Sequence, residues 1–137
     1  MKFQYLKTNR PLLPLAAGYS DHPLCAAANP IQDSYRAAAR QENPAFKDFS
    51  ATAGRKLYTT KVGELMCASC HTDSPMVEGK HVKTNKVILP MAPSANPKRL
   101  TDAANVEKWI KRNCNDVLKR ACTAQEKGDF MAYLLSK

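Results

Sequence analysis

The sequence predicts an all-α single domain with one long irregular loop. In the C-terminal part of the chain, apolar residues recur at spacings of three and four, and no segment alternates apolar and polar residues as a strand would. The segment 72–99 is rich in residues that interrupt regular structure, namely Pro75, Gly79, Pro90, Pro93 and Pro97. Loops of this length inside a compact domain are usually functional.

The first helices are predicted from composition and from their breakers. Residues 31–41 are rich in alanine and predict a helix, which the Asn-Pro pair at 43–44 ends. Residues 46–60 predict a second helix, with Gly54 inside it. Residues 67–71 predict a tight turn or a single helical turn.

The last two helices carry clear start signals. Thr101 is the predicted N-cap of a helix that runs to about Lys119. One face of this helix is formed by Val106, Ile110, Asn113 and Val117. Thr123 and Glu126 form a predicted capping box, which opens a final helix to about Ser136.

The charge balance is strongly basic, with 21 Lys and Arg against 12 Asp and Glu and a net charge of +9. Such a charge suits nucleic acid, a membrane surface or an acidic protein. The basic residues are neither clustered in one helix nor interleaved with aromatic residues, which argues against nucleic acid. No run approaches the roughly 18 apolar residues that a membrane-spanning helix needs.

Residues 1–28 resemble a secretory signal, which leaves 29–137 as the folded domain. A basic start is followed by a short apolar stretch at 12–17 and by small residues at 26–28 that suit a cleavage site. The alternative is a disordered or helical N-terminal extension. Export would place the protein in the periplasm, where disulfides persist.

The motif Cys67-Ala68-Ser69-Cys70-His71 matches C-x-x-C-H, the attachment signature of a c-type haem. Its spacing lets two thiols add to the two vinyl groups of one porphyrin and directs the next residue, His71, at the iron. The sequence therefore predicts one covalent haem c. We expect the second imidazole nitrogen to donate to a backbone carbonyl, with Pro75 and Pro90 as candidates.

Two alternatives to haem attachment are a thiol redox pair and a zinc site, and the remaining cysteines help to judge them. A C-x-x-C redox pair would need a βαβ setting, which is not visible, and a zinc site would need Cys114 and Cys122 as further ligands. Those two cysteines are eight residues apart, too widely spaced for a usual zinc pair, and are predicted to form a disulfide. Cys25 lies in the predicted signal.

The sixth iron ligand would decide the function, and several residues compete for it. Met91 is the serious methionine candidate, since Met76 is too near the attachment motif and Met131 is expected in the core. His81 is expected to be a surface residue. Asn113 is anomalous, because an unpaired carboxamide on an apolar helix face costs roughly 1–3 kcal/mol. Water, a backbone group or the iron could satisfy it.

Several segments together resemble the sphaeroides haem protein family, which consists of small exported monohaem cytochromes related to the class I cytochrome c fold. They are Leu89-Pro90-Met91-Ala92-Pro93-Ser94-Ala95, Arg99-Leu100-Thr101-Asp102, Val106-Glu107-Lys108-Trp109, Arg112-Asn113-Cys114-Asn115-Asp116 and Cys122-Thr123. The sequence is also similar to cytochrome c double-prime of methylotrophs. The resemblance covers about residues 48–135 and implies a class I-like domain whose long loop wraps the haem.

The resemblance also implies a mechanism. In the first group, the Asn at the position of Asn113 ligates oxidised iron and leaves on reduction, whereas cytochrome c double-prime has His there. The family binds oxygen or nitric oxide when reduced and takes electrons from a dihaem cytochrome c. This chain departs from the family pattern at Met91, where the family has Leu. The resemblance further implies that the helix containing Gly54 and Tyr58 crosses the last helix near residues 130–133.

Three functions follow as hypotheses. The favoured one is an exported cytochrome that accepts an electron, releases Asn113 and binds a diatomic gas. The second is a plain electron carrier ligated by His71 and Met91. The third, an enzyme acting on peroxide, superoxide or nitric oxide, ranks lowest because no distal acid or base can be placed from the sequence.

Overall fold

The structure, a computed structural model, describes the backbone of residues 23–137 and the side chains from residue 27 onward. Five α-helices follow in order: α1 Pro23–Glu42, α2 Ala51–Thr59, α3 Cys67–His71, α4 Ala103–Asn113 and α5 Ala124–Leu135. A π-helical segment, Cys114–Leu118, continues α4. The predicted all-α class is confirmed. The long loop adds two short antiparallel strands, β1 Gly79–Lys80 and β2 Val87–Ile88.

Helix α1 begins earlier than the alanine-rich pattern predicts. It starts at Pro23 and includes Pro30, so the predicted division after Ala28 falls inside the helix. Ala28 is completely buried and packs with Ile31. Most of the predicted signal lies outside the described residues, and the division at residue 28 stays a prediction. No helix among residues 23–137 is long and apolar enough to cross a membrane.

Helix α2 begins five residues later than predicted, because Ser50 caps it. The Ser50 hydroxyl accepts a hydrogen bond from the Ala53 amide at 3.1 Å. The following Gly54 lies against α5, where a Cβ atom would collide with the carbonyl of Asp129. The absent side chain therefore lets α2 and α5 approach closely.

The predicted crossing of α2 and α5 is confirmed by aromatic contacts. The ring of Tyr58 lies 6.3 Å from that of Phe130 and 5.4 Å from that of Tyr133, measured between centroids. Tyr58 is fully buried and Tyr133 nearly so. This packing lies against α3, the next helix in the chain, whose Ala68 belongs to the same buried cluster.

One predicted cap of the later helices is wrong and the other is confirmed. The N-cap of α4 is Asp102, whose carboxylate accepts from the Asn105 amide at 2.6 Å, whereas the Thr101 hydroxyl donates to the carbonyl of Lys98. An ionised carboxylate accepts such a bond more strongly than a hydroxyl and suits the helix N-terminus. At α5, the capping box of Thr123 and Glu126 forms as predicted.

Three apolar clusters include residues of α5, and two of them bear on the site. The first joins α1, α4 and α5 through Ala28, Ile31, Tyr35, Val106 and Met131, so the expected core role of Met131 is confirmed. Next to this first cluster, the carboxylate of Glu107 accepts hydrogen bonds from the Tyr35 hydroxyl at 2.8 Å and from the Lys127 ammonium at 2.6 Å. The second, which we call the motif cluster, contains Tyr58, Ala68, Tyr133 and Leu134.

Candidate functional site

The haem motif forms α3, a single helical turn. Residues three and four apart share a helix face, so Cys67, Cys70 and His71 lie on one side. All three are half-buried, and the two cysteines are free thiols. Ala68, on the other side, is buried in the motif cluster. The turn is stabilised at its start by Ser69, whose hydroxyl accepts from the Met66 amide at 3.1 Å.

Tyr58 fixes the C-terminal end of this turn. Its hydroxyl donates to the carbonyls of His71 and Thr72, at 3.1 and 2.6 Å. Thr72 has φ of 62°, a conformation that is unfavourable for a β-branched residue. The hydrogen bond from a fully buried side chain helps to hold the chain in this conformation directly after His71.

Gly79 packs against the motif from the long loop. A Cβ atom at this position would collide with the carbonyl of Cys70 and approach the Cα atom of His71. Strand β1 can therefore lie directly on the backbone of α3 only because residue 79 is glycine.

The environment keeps the imidazole of His71 neutral at pH 7. Burial and then the positive charge of Arg99 lower the pKa of His71 to about 4. Neutral imidazole is the form that ligates a metal. Burial also raises the pKa of the Cys67 thiol to about 11.

The expected partner of the imidazole is not found at either proline. The carbonyl of Pro75 accepts from the amides of Met91 and Ala92, both at 2.9 Å. The carbonyl of Pro90 accepts from Asn96 and from Arg99. Because both carbonyls serve to close the long loop, neither bonds to His71 in this structure.

Apolar side chains surround the motif and suit a porphyrin. Those that pack on the motif cluster while remaining partly exposed are Met66, Cys67, Met91, Leu100 and Phe130. A flat apolar macrocycle is stabilised by such a lining. Two thiols, a neutral imidazole and the apolar side chains around them together fit a covalent haem.

The competing sixth ligands occupy different environments. Met91 packs on the motif cluster, as Cys67 does, and so lies in the same apolar region as the attachment motif. The thioether of Met76 accepts from Ser94 at 3.1 Å. The Nδ1 atom of His81 contacts the amide and hydroxyl of Thr84, so His81 stabilises a local turn.

Asn113 is the last residue of α4, where the helix changes from α to π geometry. It is half-buried, as are Ile110 and Val117, while Val106 is the buried member of the predicted apolar face. Within residues 23–137 the carboxamide of Asn113 makes no hydrogen bond. Helices α3 and α4 share no extensive interface among these residues.

Cys114 and Cys122 form a disulfide in the structure, with their Cα atoms 5.7 Å apart. The bridge joins the π-helical segment to the residue just before the N-cap of α5, directly beside Asn113. A zinc site that combines these cysteines with Cys67 and Cys70 is therefore not formed. Among the described residues, no three His, Cys, Asp or Glu side chains gather in a metal-binding group.

Two features of the site, the hydrogen bonds of Tyr58 and the close approach of Gly79, have no local signal in the sequence. Tyr58 was expected only as an apolar contact, and Gly79 only as a loop residue. Both act through contacts between segments separated along the chain, and no local pattern signals such a role. The fully buried tyrosine hydroxyl would have required a partner, but the sequence does not say which.

Comparison with known proteins identifies the family. Residues 44–134 match the family described as Domain of unknown function (DUF1924). Cytochrome c'' of Methylophilus methylotrophus is 39% identical over 126 residues, which covers 87% of this chain and 88% of that protein. Cytochrome c-type protein SHP of Cereibacter sphaeroides is 46% identical over 71 residues, 52% of this chain and 54% of that protein.

Solved structures of the same two proteins resemble this chain. The crystal structure of oxidised cytochrome c'' from Methylophilus methylotrophus has a TM-score of 0.75 at 38% identity, covering 82% of this chain and 95% of that one. The structure of oxidised SHP, described as an oxygen binding cytochrome c, has a TM-score of 0.71 at 37% identity, covering 80% and 96%. The chain therefore belongs to the family of monohaem c-type cytochromes that contains cytochrome c'' and the sphaeroides haem protein.

Proposed function

We propose that this cytochrome accepts an electron and then binds a diatomic gas, oxygen or nitric oxide, at a position that Asn113 leaves on reduction. The family implies haem c as the cofactor. Cys67 and Cys70 would attach one haem covalently, and His71 would ligate its iron. The haem supplies one-electron redox chemistry and, where an axial position opens, gas binding.

The observation that carries the proposal is the unpartnered carboxamide of Asn113. The side chain is half-buried, yet it makes no hydrogen bond within residues 23–137. Because no fully buried side-chain nitrogen or oxygen among the described residues lacks a hydrogen bond, the Asn113 carboxamide remains accessible and is free to bind another group. The amide oxygen is a hard donor and prefers ferric to ferrous iron, so reduction is expected to weaken its bond.

The local backbone supports a movable ligand. Asn113 precedes the π-helical segment Cys114–Leu118, and such departures from α geometry are frequent at functional sites. The disulfide of Cys114 and Cys122 ties this segment to the start of α5. A released carboxamide would consequently remain near the iron, where it could donate to a bound gas.

The setting we propose is the periplasm, on the basis of the signal predicted at residues 1–28. The electron would come from another cytochrome, such as a dihaem cytochrome c. One structural relative is described as oxygen binding, which supports a gas ligand here. We propose electron transfer and gas binding rather than dedicated catalysis.

The second candidate is an electron carrier with His71 and Met91 as axial ligands. It is favoured by the position of Met91, which packs on the motif cluster together with Cys67. A buried His and Met pair would keep the iron closed in both redox states.

Spectroscopy of the holoprotein and two variants tests these alternatives. We expect the ferric wild type to be six-coordinate, Asn113→Ala to change the ferric spectrum, and Met91→Leu to leave it unchanged. We also expect ferrous wild type to bind carbon monoxide. A ferrous form that is six-coordinate, low-spin and unreactive with carbon monoxide would rule out the proposal. The long-wavelength absorption band of Met-ligated ferric haem, lost in Met91→Leu, would establish the second candidate.

A further inference from the structure

The long loop carries an unusual concentration of exposed apolar side chains. Among the described residues, six large hydrophobic side chains are exposed, and five of them lie between residues 76 and 89. They are Met76 at 38%, Val77 at 50%, Val82 at 46%, Val87 at 61% and Leu89 at 55% exposure. We call residues 76–89 the hairpin loop. Apolar side chains clustered in this way on a surface typically mark an interaction site.

The hairpin loop is an ordered element with two distinct faces. Its base is closed by the Pro75 carbonyl, which accepts from the amides of Met91 and Ala92. Gly79 pairs with Ile88, and Lys80 pairs with Val87. Side chains on neighbouring strand residues point to opposite faces. Gly79 lies against the Cys70 carbonyl, so Lys80 and Val87 project from the opposite face, away from the haem motif.

The same loop is positively charged. Lys80, Lys83 and Lys86 are exposed, and none forms an ion pair within the described part of the chain. Glu78 is the single acidic residue between positions 76 and 89. Three cations beside aliphatic side chains form an apolar centre with a charged rim, the usual composition of a protein–protein interface.

The chemistry of the loop selects the class of partner. The exposed apolar residues are aliphatic, and the loop has no Phe, Tyr or Trp on which a nucleic-acid base could stack. Positive charge on this face is complementary to an acidic protein surface and speeds its approach. An acidic protein with its own apolar centre therefore fits better than nucleic acid.

We propose that the hairpin loop is the docking surface for an acidic electron-transfer protein. This inference rests on the proposed function, because it assumes that the motif holds a redox-active haem. Through Gly79 the loop lies directly on the backbone of Cys70, so a partner docked here would be close to the attachment motif. The docked partner would give one electron to the haem that Cys67, Cys70 and His71 would hold, so that the partner would be oxidised and the haem reduced.

Reduced flavodoxin, a small acidic electron carrier, is a suitable probe for the holoprotein. The charge variant replaces Lys80, Lys83 and Lys86 by Gln. The matched control replaces three exposed cations elsewhere, Lys47, Arg55 and Lys56, by Gln and so loses the same charge. The apolar variant is Val87→Ser with Leu89→Ser. We measure the second-order rate of haem reduction at low salt and the dissociation constant for oxidised flavodoxin by calorimetry.

We expect the charge variant to be reduced about tenfold more slowly and bound more weakly than wild type, and the control to change less than about twofold. The apolar variant should bind more weakly at high salt, where charges are screened. Reduction of all variants by a small uncharged reductant should be unchanged, which shows that folding and haem are intact. Equal losses in the charge variant and its control would overturn the proposal.

Two further outcomes are distinguishable. Loop-dependent binding to vesicles of anionic phospholipid, without any loop dependence for flavodoxin, would identify a membrane surface and overturn the proposal. Carbon monoxide binding is measured on the same ferrous proteins and tests the gas site. Failure of that measurement would refute the proposed gas binding while leaving the docking result interpretable.

Discussion

The hydroxyl of Tyr58 donates to the carbonyl of Thr72 over 2.6 Å and thereby joins α2 to the residue that ends the haem motif. Tyr58 is fully buried, and its ring packs against Phe130 and Tyr133 of α5. The position of His71 is consequently coupled to the crossing of α2 and α5, and not only to the short helix that contains it.

Replacing Tyr58 by Phe should lower the free energy of unfolding by about 1–3 kcal/mol, because two carbonyls lose a buried donor. The measurement is urea unfolding of the oxidised holoprotein followed by circular dichroism. Tyr133→Phe is the matched control, since Tyr133 is also buried but its hydroxyl makes no hydrogen bond within residues 23–137. Equal effects of the two substitutions would contradict the proposed role of the Tyr58 hydroxyl.

Gly54→Ala should destabilise the protein by about 1–3 kcal/mol, because the added methyl group forces α2 away from α5. Alanine normally stabilises a helix interior relative to glycine, so the expected sign is opposite to the intrinsic preference. Thermal unfolding measures the change. Thr52→Ala, at an exposed position of the same helix, is the control and should have little effect. A Gly54→Ala protein as stable as wild type would show that the helices separate at no cost.

The contribution of Asp129 to folding stability should decrease as pH rises. It is buried and accepts from the Ser50 amide at 2.7 Å, and burial raises the pKa of its carboxyl. The folded state therefore binds a proton at Asp129 more readily than the unfolded state, and the contribution of Asp129 to stability falls as pH rises through the pKa of folded Asp129. Asp129→Asn keeps an acceptor oxygen and does not titrate. Its stability relative to wild type should increase from pH 3 to pH 7 in urea unfolding, and a constant difference would refute this.

The contribution of Glu107 to folding stability should change with pH in the opposite direction and decrease as pH falls. The hydrogen bond from Lys127 is the largest of the effects that lower the pKa of its carboxyl, and Tyr35 adds a second bond. The stabilisation is present above the pKa of the unfolded state and is lost as pH falls through the pKa of folded Glu107. Glu107→Gln should therefore be less stable than wild type at pH 7, with the difference shrinking in acid. A difference that grows as pH falls would contradict the role of the ionised form.

Replacing Cys114 and Cys122 together by Ser should lower the free energy of unfolding by about 2–3 kcal/mol. The reason is that the unfolded chain regains the conformational entropy that a short closed loop removes. The measurement is denaturant unfolding under non-reducing conditions. The substitution should also broaden the ferric electron paramagnetic resonance signal, because Asn113 would no longer be held by its neighbour. Dithiothreitol should reproduce the stability loss in wild type and leave the double variant unchanged.

Local patterns were sufficient for the helices and for the attachment motif. The capping box of Thr123 and Glu126 was predictable because both partners lie within one helical turn. The N-cap of α4 was assigned to Thr101 rather than Asp102, since adjacent capping residues differ only in the geometry that the chain adopts. The sequence pattern predicts too early a start for α2, because it does not single out Ser50 as the cap.

The fold class and the C-x-x-C-H motif could be predicted from the amino-acid sequence, because helical periodicity and fixed spacings are properties of neighbouring residues, and the family was indicated by resemblance. Only the tertiary structure showed that Tyr58 holds the carbonyls after His71, that Gly79 lies on Cys70, and that Asn113 has no partner among the described residues. These relationships arise when α2, α5 and the hairpin loop pack around α3. They depend on distances between segments remote in the chain, which no local spacing encodes.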